Sequence, residues 1–438
     1  MLVLEGRGFI RGGFEQCSIG IEDGRISSIK KTLRGDDNVD YGEFLILPGG
    51  IDVHVHFREP GLTHKEDFRT GTTSAAMGGI TTVFDMPNTM PPTTSLREYE
   101  QKVEIAGRKA SVDFGLYAAL SRDRETSRLA GAGAPFKLYM AQTTGGLEVP
   151  ADDIPGLLKD LPPVYPPVVV HAENPAKFKA TEARTLQEHD LARPVEAESS
   201  SIDLLKAMGR NFHITHVTSE ESLKSVLSSG FTSDVTPHHL LLDCTKPLGQ
   251  FGKVNPPLRQ PSEREAVWDA FAGGRIDILA SDHAPHTQEE KSVNFADAPS
   301  GTPGVETMIP LMLRKVRSSD LRLDRLVNAV AERPAELMGL NKGFIEVGRD
   351  ADLVVVDSHS VTKVRGEKLH SKCGWTAFEG LEAIFPAAVY LRGNLIVDKG
   401  EVAEESIGEH VEAKVPAKRP EPAKKPRFGA ARQQEAPR

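Results

Sequence analysis

The stretch Ile51-Asp52-Val53-His54-Val55-His56-Phe57-Arg58 sets the reading of this chain. Its apolar residues alternate, and in a β-strand residues i and i+2 project to the same face. His54 and His56 therefore share a face, with Arg58 one step further along it. Two imidazoles so placed suit one metal ion, although a pair of buried structural histidines would show the same pattern. Arg58 suits two-pronged recognition of an anion, or a salt bridge at the rim of a sheet.

Working outward, short apolar runs of this kind recur at 51–56, 81–86, 113–119, 135–139, 167–171, 212–216, 231–236 and 276–281. Segments of helical character, such as 95–110, 201–209 and 262–272, separate most of them. Buried strands alternating with helices predict a parallel α/β architecture. Eight such units fit a (β/α)8 TIM-type barrel, whose catalytic groups sit at the C-terminal ends of the strands. The segments before and after read as strands and turns, and together predict a small β-sandwich domain. The expected division is 1–49 and 343–410 for that domain, 50–342 for the barrel, and 411–438 for a basic, Pro-rich disordered tail. A docking arm for an acidic partner or nucleic acid is the alternative for the tail.

The 438 residues exceed one small domain and suit a barrel of roughly 250 to 300 residues with additions. With 39% hydrophobic and 26% charged residues, the composition is that of a soluble globular protein. No apolar run approaches the roughly 18 residues of a membrane span, and the N-terminus lacks signal-peptide features, so a cytoplasmic protein is expected. A net charge of −9 argues against broad nucleic-acid binding. The three cysteines, Cys17, Cys244 and Cys373, form no Cys-x-x-Cys pair, so a metal would have to rest on His and carboxylate ligands.

Such ligands recur at later strand ends. His171 closes Val168-Val169-Val170, His216 closes Phe212-His213-Ile214-Thr215, and Asp282 follows Ile278-Leu279-Ala280-Ser281. Four histidines and an aspartate at the ends of candidate barrel strands are N and O donors of the kind zinc uses. Lys137 ends another apolar run, where an ammonium is costly to bury. Burial favours the neutral amine, which can take up carbon dioxide as a carbamate; a lysine paired with a carboxylate is the plainer alternative.

With these residues goes a set of longer motifs: Asp52-Val53-His54-Val55-His56-Phe57-Arg58-Glu59-Pro60-Gly61, Lys65-Glu66-Asp67-Phe68, Asp85-Met86-Pro87-Asn88-Thr89, Thr236-Pro237-His238-His239, Lys253-Val254-Asn255-Pro256-Pro257-Leu258-Arg259 and Ser281-Asp282-His283-Ala284-Pro285-His286. Over about residues 1–400 the chain resembles class I dihydroorotases of the amidohydrolase superfamily. The resemblance implies two zinc ions: one on His54, His56 and Asp282, the second on His171 and His216, bridged by carboxylated Lys137 and a hydroxide. It implies that Asp282 is the proton shuttle, that Arg58, Asn88, Asn255 and His286 bind the substrate, and that Ser300 and Gly301 meet it through backbone groups. The activity implied is the interconversion of dihydroorotate and N-carbamoyl-L-aspartate in pyrimidine synthesis. Allantoinases and hydantoinases share the metal ligands and are the nearest alternative. A non-catalytic partner of aspartate transcarbamoylase is another, set against by the retention of every ligand. A homodimer, and association with aspartate transcarbamoylase, are compatible with the resemblance.

Overall fold

The structure is a computed structural model that describes residues 1–122, 125–403 and 405–415. The eight apolar runs all become parallel strands: Gly50–Val55, Ile80–Asp85, Asp113–Leu116 continued as Ala118–Ala119, Phe136–Tyr139, Val168–His171, Phe212–Ile214, Thr232–Val235 and Ile278–Leu279. Each pairs with the next in parallel. Their hydrogen bonds run as a three-stranded and a six-stranded arc that meet at two seams. At one seam the Tyr117 N–H donates to the Asp85 carbonyl, and the Ala118 N–H to the Pro135 carbonyl, each at 2.9 Å. At the other the His56 N–H donates to the His283 carbonyl at 2.8 Å. The strands so follow one another round the ring expected of a (β/α)8 barrel.

Local chemistry explains the elements. Val168, Val169 and Val170 are buried, as β-branched residues of a strand covered on both faces are. The helix Leu96–Gly107 starts where Ser95 and Glu98 form a reciprocal capping box. Helix Pro261–Ala272 opens on a proline in its first turn, where the missing N–H costs nothing.

The terminal segments join as expected. Strand Leu353–Val356 runs antiparallel to Asp37–Pro48, which completes one eight-stranded sheet. The period of two is visible in its packing. Leu353 and Val355 join Ile19, Ile21 and Ile46 in a separate core, while Val354 and Val356 belong to the core shared with the barrel. One difference lies at the C-terminal boundary. The chain from 411 is not wholly a tail: the Val411 N–H donates to the Phe114 carbonyl at 2.9 Å and the Lys414 N–H to the Met338 carbonyl at 2.8 Å. Ala413 is buried with Ile51, Val53 and Ile278 of the barrel interior. The polar residues that follow in sequence hid this short anchored stretch, whose own residues alternate apolar and polar. The expectation for 416–438 lies outside the described residues. Among the described residues no helix is long and apolar enough to cross a membrane.

A buried cation joins barrel and sheet. Lys342 Nζ lies 2.8 Å from Asp113 Oδ2 of the third strand and 2.7 Å from Asp352 Oδ2 beside the sheet. Burial opposes the ammonium, but the two aspartates outweigh it and raise its pKa above the usual lysine range. Removing one partner of a buried ion cluster strands the others. Lys342→Met is expected to destabilise the protein by about 3–5 kcal/mol. A urea midpoint equal to that of the parent would remove Lys342 from this role.

Candidate metal centre

His54 and His56 stand at the C-terminal end of the first strand and Asp282 just past the eighth, so ring closure alone brings them together. Asp282 Oδ1 is 3.3 Å from His54 Nε2 and 3.2 Å from His56 Nε2. The three offer ligand atoms within 4.8 Å of one another, a group able to hold a metal ion. Beside it lies a second pair. His171 Nδ1 is 3.0 Å from His216 Nε2, and the His54 and His216 rings are 5.5 Å apart. Lys137, fully buried, donates to Thr215 Oγ1 at 3.2 Å; the same oxygen is 3.0 Å from His216 Nε2. The structure so gathers all six expected ligands at one mouth of the barrel.

The donor set is prepared for a metal rather than for protons. Burial drives His54 and His216 far below the usual imidazole range, and lowers His56 also. Two of the rings have their outer nitrogens fixed. His56 Nδ1 bonds Asn88 Oδ1 at 2.7 Å, and His171 Nε2 bonds Glu173 Oε2 at 2.9 Å. With a metal bound, a proton held outward on each ring would leave the lone pair of the inner nitrogen for the ion, an arrangement typical of metal-ligating histidine; without one, His56 Nε2 can instead share a proton with Asp282 Oδ1 at 3.2 Å. Burial pushes the Lys137 ammonium down to about 7. Burial would raise the Asp282 carboxyl, but its hydrogen bond to His56 and the charges of His56, His238 and Lys137 outweigh that and hold it below its ordinary value.

The backbone at these strand ends is unusual. Arg58, His216 and Asp282 have φ of 64°, 45° and 45°, a left-handed conformation uncommon for residues other than glycine. Such strain persists only where the surroundings over-determine it, and it concentrates at functional sites. Two buried carboxylates do so here. Asp234 Oδ1 accepts the His216 N–H at 2.6 Å, and Asp85 Oδ1 accepts the Phe57 N–H at 2.6 Å, next to Arg58.

The expected substrate contacts have these surroundings. Arg58 Nη2 is 3.3 Å from His286 Nε2, which is 3.1 Å from the Ser300 carbonyl. Asn255 Oδ1 accepts from His189 Nε2 at 2.9 Å. Asn88 spends its oxygen on His56 and donates through Nδ2 to Thr143 Oγ1 at 3.2 Å. Gly301 has both backbone groups engaged within the protein. Its N–H donates to the Lys253 carbonyl at 2.9 Å and its carbonyl accepts from Lys291 at 3.1 Å. With φ at 140°, a Cβ there would stand 2.5 Å from the Ala284 carbonyl oxygen, so the position shapes its loop.

Sequence reasoning missed several members. Glu173 and Arg193 orient His171; Arg193 grips Glu173 through two bonds of 3.0 and 2.6 Å. The Glu173 in Val170-His171-Ala172-Glu173 sits two residues after a ligand, the one signal available. Lys65 lies 3.2 Å from His286 Nδ1, and the Trp375 indole N–H donates to the His286 carbonyl at 2.8 Å. Trp375 comes from the C-terminal part of the chain, and its composition carries no such signal.

An amidohydrolase family profile matches residues 45–395. This chain belongs to the amidohydrolase family. It is 39% identical over 421 residues to a dihydroorotase of Methanosarcina mazei, covering 89% of this chain and 92% of that one. It is 36% identical to a dihydroorotase of Thermoplasma acidophilum, covering 92% and 96%. Among solved structures, the L-hydantoinase of Arthrobacter aurescens superposes with a TM-score of 0.88 at 28% identity, covering 94% of this chain and 99% of that one. These amidohydrolase relatives span the barrel and the terminal β domain alike.

Glu173 gives the site a test of its own. Glu173→Gln keeps size and removes the charge that orients His171 and pairs with Arg193. Metal affinity, read by competition with a chelator, is expected to fall about 10–100-fold. Unchanged affinity would show that the contact with His171 does not tune the centre.

Proposed function

We propose that the protein is a metal-dependent dihydroorotase that hydrolyses and re-forms the ring amide of dihydroorotate, with N-carbamoyl-L-aspartate as the open product. The observation that carries this reading is the cationic flank beside the metal centre. His286 has Arg58 at 3.3 Å on one nitrogen and Lys65 at 3.2 Å on the other. Burial and these two cations hold the ring neutral, well below the ordinary imidazole range. On a chain of net charge −9 this local concentration of positive charge calls for a substrate anion, and dihydroorotate carries a carboxylate. The dihydroorotase relatives support the same choice. The hydantoinase neighbours in structure favour the alternative of an uncharged cyclic amide.

In this reading His54, His56 and Asp282 would hold one zinc ion and His171 and His216 a second, with Lys137, as its carbamate, a ligand they would share. Bound there, the metals supply hydroxide at neutral pH and polarise the ring carbonyl. Lys137 reaches the bridging state when its neutral amine adds to carbon dioxide and releases a proton; its burial keeps that amine accessible near neutrality. Arg58, Asn88, Asn255 and His286 orient the carboxylate and ring, which fixes the line of attack. Asp282 takes the proton of the attacking hydroxide and returns it to the departing ring nitrogen. Ionisation suits that role, and its hydrogen bond with His56 favours the ionised form. The proposed domain division is the barrel at 50–342 with a β domain from 1–49 and 343–410. Homodimer formation and docking to aspartate transcarbamoylase are proposals that sizing alone and with that enzyme would test.

Purified protein assayed side by side on dihydroorotate, allantoin and hydantoin is expected to open dihydroorotate; turnover of allantoin alone overturns the assignment. Asp282→Asn is expected to cut kcat roughly 100- to 10,000-fold with metal largely retained. Near-parental turnover would take the proton shuttle away from Asp282. Lys137→Ala is expected to be inactive and to recover partly with short carboxylic acids such as acetate. Full activity without additives would sink the bridging role.

A further inference from the structure

Lys291 stands apart among the buried lysines in its surroundings. It ends the short helix Gln288–Lys291 and is fully buried. Its Nζ donates to three backbone carbonyls: Pro299 at 2.9 Å, Gly301 at 3.1 Å and Lys253 at 3.3 Å. No ion pair of Lys291 with a carboxylate occurs among the described residues. Burial and the nearby Lys253 push the Lys291 ammonium down to about 7, and a buried amine satisfied by carbonyl oxygens alone is costly unless those oxygens are held where they are needed.

The three carbonyls belong to the two loops that carry Asn255 and Ser300. The Lys253 carbonyl also accepts the Gly301 N–H at 2.9 Å, so the loops are stitched together at that oxygen. A second buried lysine repeats the device. Lys253 Nζ donates to the Phe295 carbonyl at 2.7 Å and the Ala296 carbonyl at 2.9 Å. On its other side the Lys291 ammonium lies 5.6 Å over the Trp375 ring, whose indole N–H holds the His286 carbonyl.

We propose that Lys291 is a positioning residue for substrate recognition, acting by pulling the Pro299 carbonyl inward so that the Ser300 N–H of the same peptide faces the substrate. In a trans peptide the C=O and the following N–H point in opposite directions, so gripping one aims the other. The grip on the Lys253 carbonyl fixes the approach to Asn255 in the same way. This role rests on the reading of Ser300 and Asn255 as substrate contacts, and it predicts a loss of binding rather than of chemistry.

Lys291→Met removes the donors and keeps most of the volume. With metal content matched to the parent, KM for dihydroorotate is expected to rise roughly tenfold or more while kcat changes less than about threefold. Lys291→Arg, which keeps the charge and the donors, is expected to fall between the two. Where Lys291→Met fails to fold, Lys253→Met loosens the same loops at the second lysine, and a several-fold rise in KM is expected. A KM within about twofold of the parent in the folded variant overturns the role, as does loss of kcat and metal together. A parent enzyme that opens hydantoin but not dihydroorotate sinks the functional reading instead. A KM shift on that substrate would still support Lys291.

Discussion

The metal centre depends on how the ring of strands is closed, and one buried carboxylate does much of that. Asp52 Oδ1 accepts the His54 N–H and the Ser281 N–H, each at 3.1 Å. It therefore ties the first strand to the eighth at the level where His54, His56 and Asp282 emerge. Eight parallel strands can be paired in sequence by local crossovers, but the last joint is between segments more than two hundred residues apart. Burial pushes the Asp52 carboxyl up to about 7, against the two N–H donors that favour its ionised form. The joint is made by hydrogen bonds in a dry setting, where each is electrostatically stronger than in water.

From that joint the rest follows in layers. Buried carboxylates stand under the unusual strand ends: Asp85 beneath Phe57, Asp234 beneath His216, Asp52 beneath Ser281. Their own partners are also buried. Lys102 Nζ is 2.6 Å from Asp85 Oδ2, and His213 Nε2 is 3.0 Å from Asp234 Oδ2. The left-handed turns at Arg58, His216 and Asp282 would relax in a looser frame. Held this way, they swing the ligand and the arginine off the strand direction toward the barrel axis, which a regular strand would not do.

The fold was legible because its code is local. Apolar runs of the right length, separated by helical segments, are enough to count eight units. The six candidate ligands were legible for a similar reason, since each lies in or just past one of these runs, His54 and His56 sharing the first. The supporting residues were not. Glu173 looks like any surface glutamate until Arg193, twenty residues on, is seen gripping it. Lys291 reads as one charge among Gln288-Glu289-Glu290-Lys291, and only the loops folding over it bury its ammonium. Trp375 reaches His286 from the far end of the chain. The tail boundary differs for another reason: Val411-Glu412-Ala413-Lys414-Val415 alternates apolar and polar residues over only five positions, and it is anchored by main-chain bonds together with burial of Ala413.

These supporting residues also settle an apparent conflict between an acidic protein and an anionic substrate. Net charge acts over distances beyond about 10 Å and is screened there by salt, whereas recognition acts at contact. Around His286 the contact layer is Arg58 and Lys65, with Lys291 behind, and all three charges bear on the imidazole. Glu290 is the counterweight, 3.0 Å from Lys65, and it is the more exposed partner. In the proposed reading an arriving carboxylate would meet Arg58, which makes no salt bridge to a protein carboxylate among the described residues and donates through Nε only to the Pro285 carbonyl at 3.1 Å. A guanidinium kept buried without a carboxylate of its own gains most when a substrate brings one, and that gain is what turns a general amide-opening centre into a selective one.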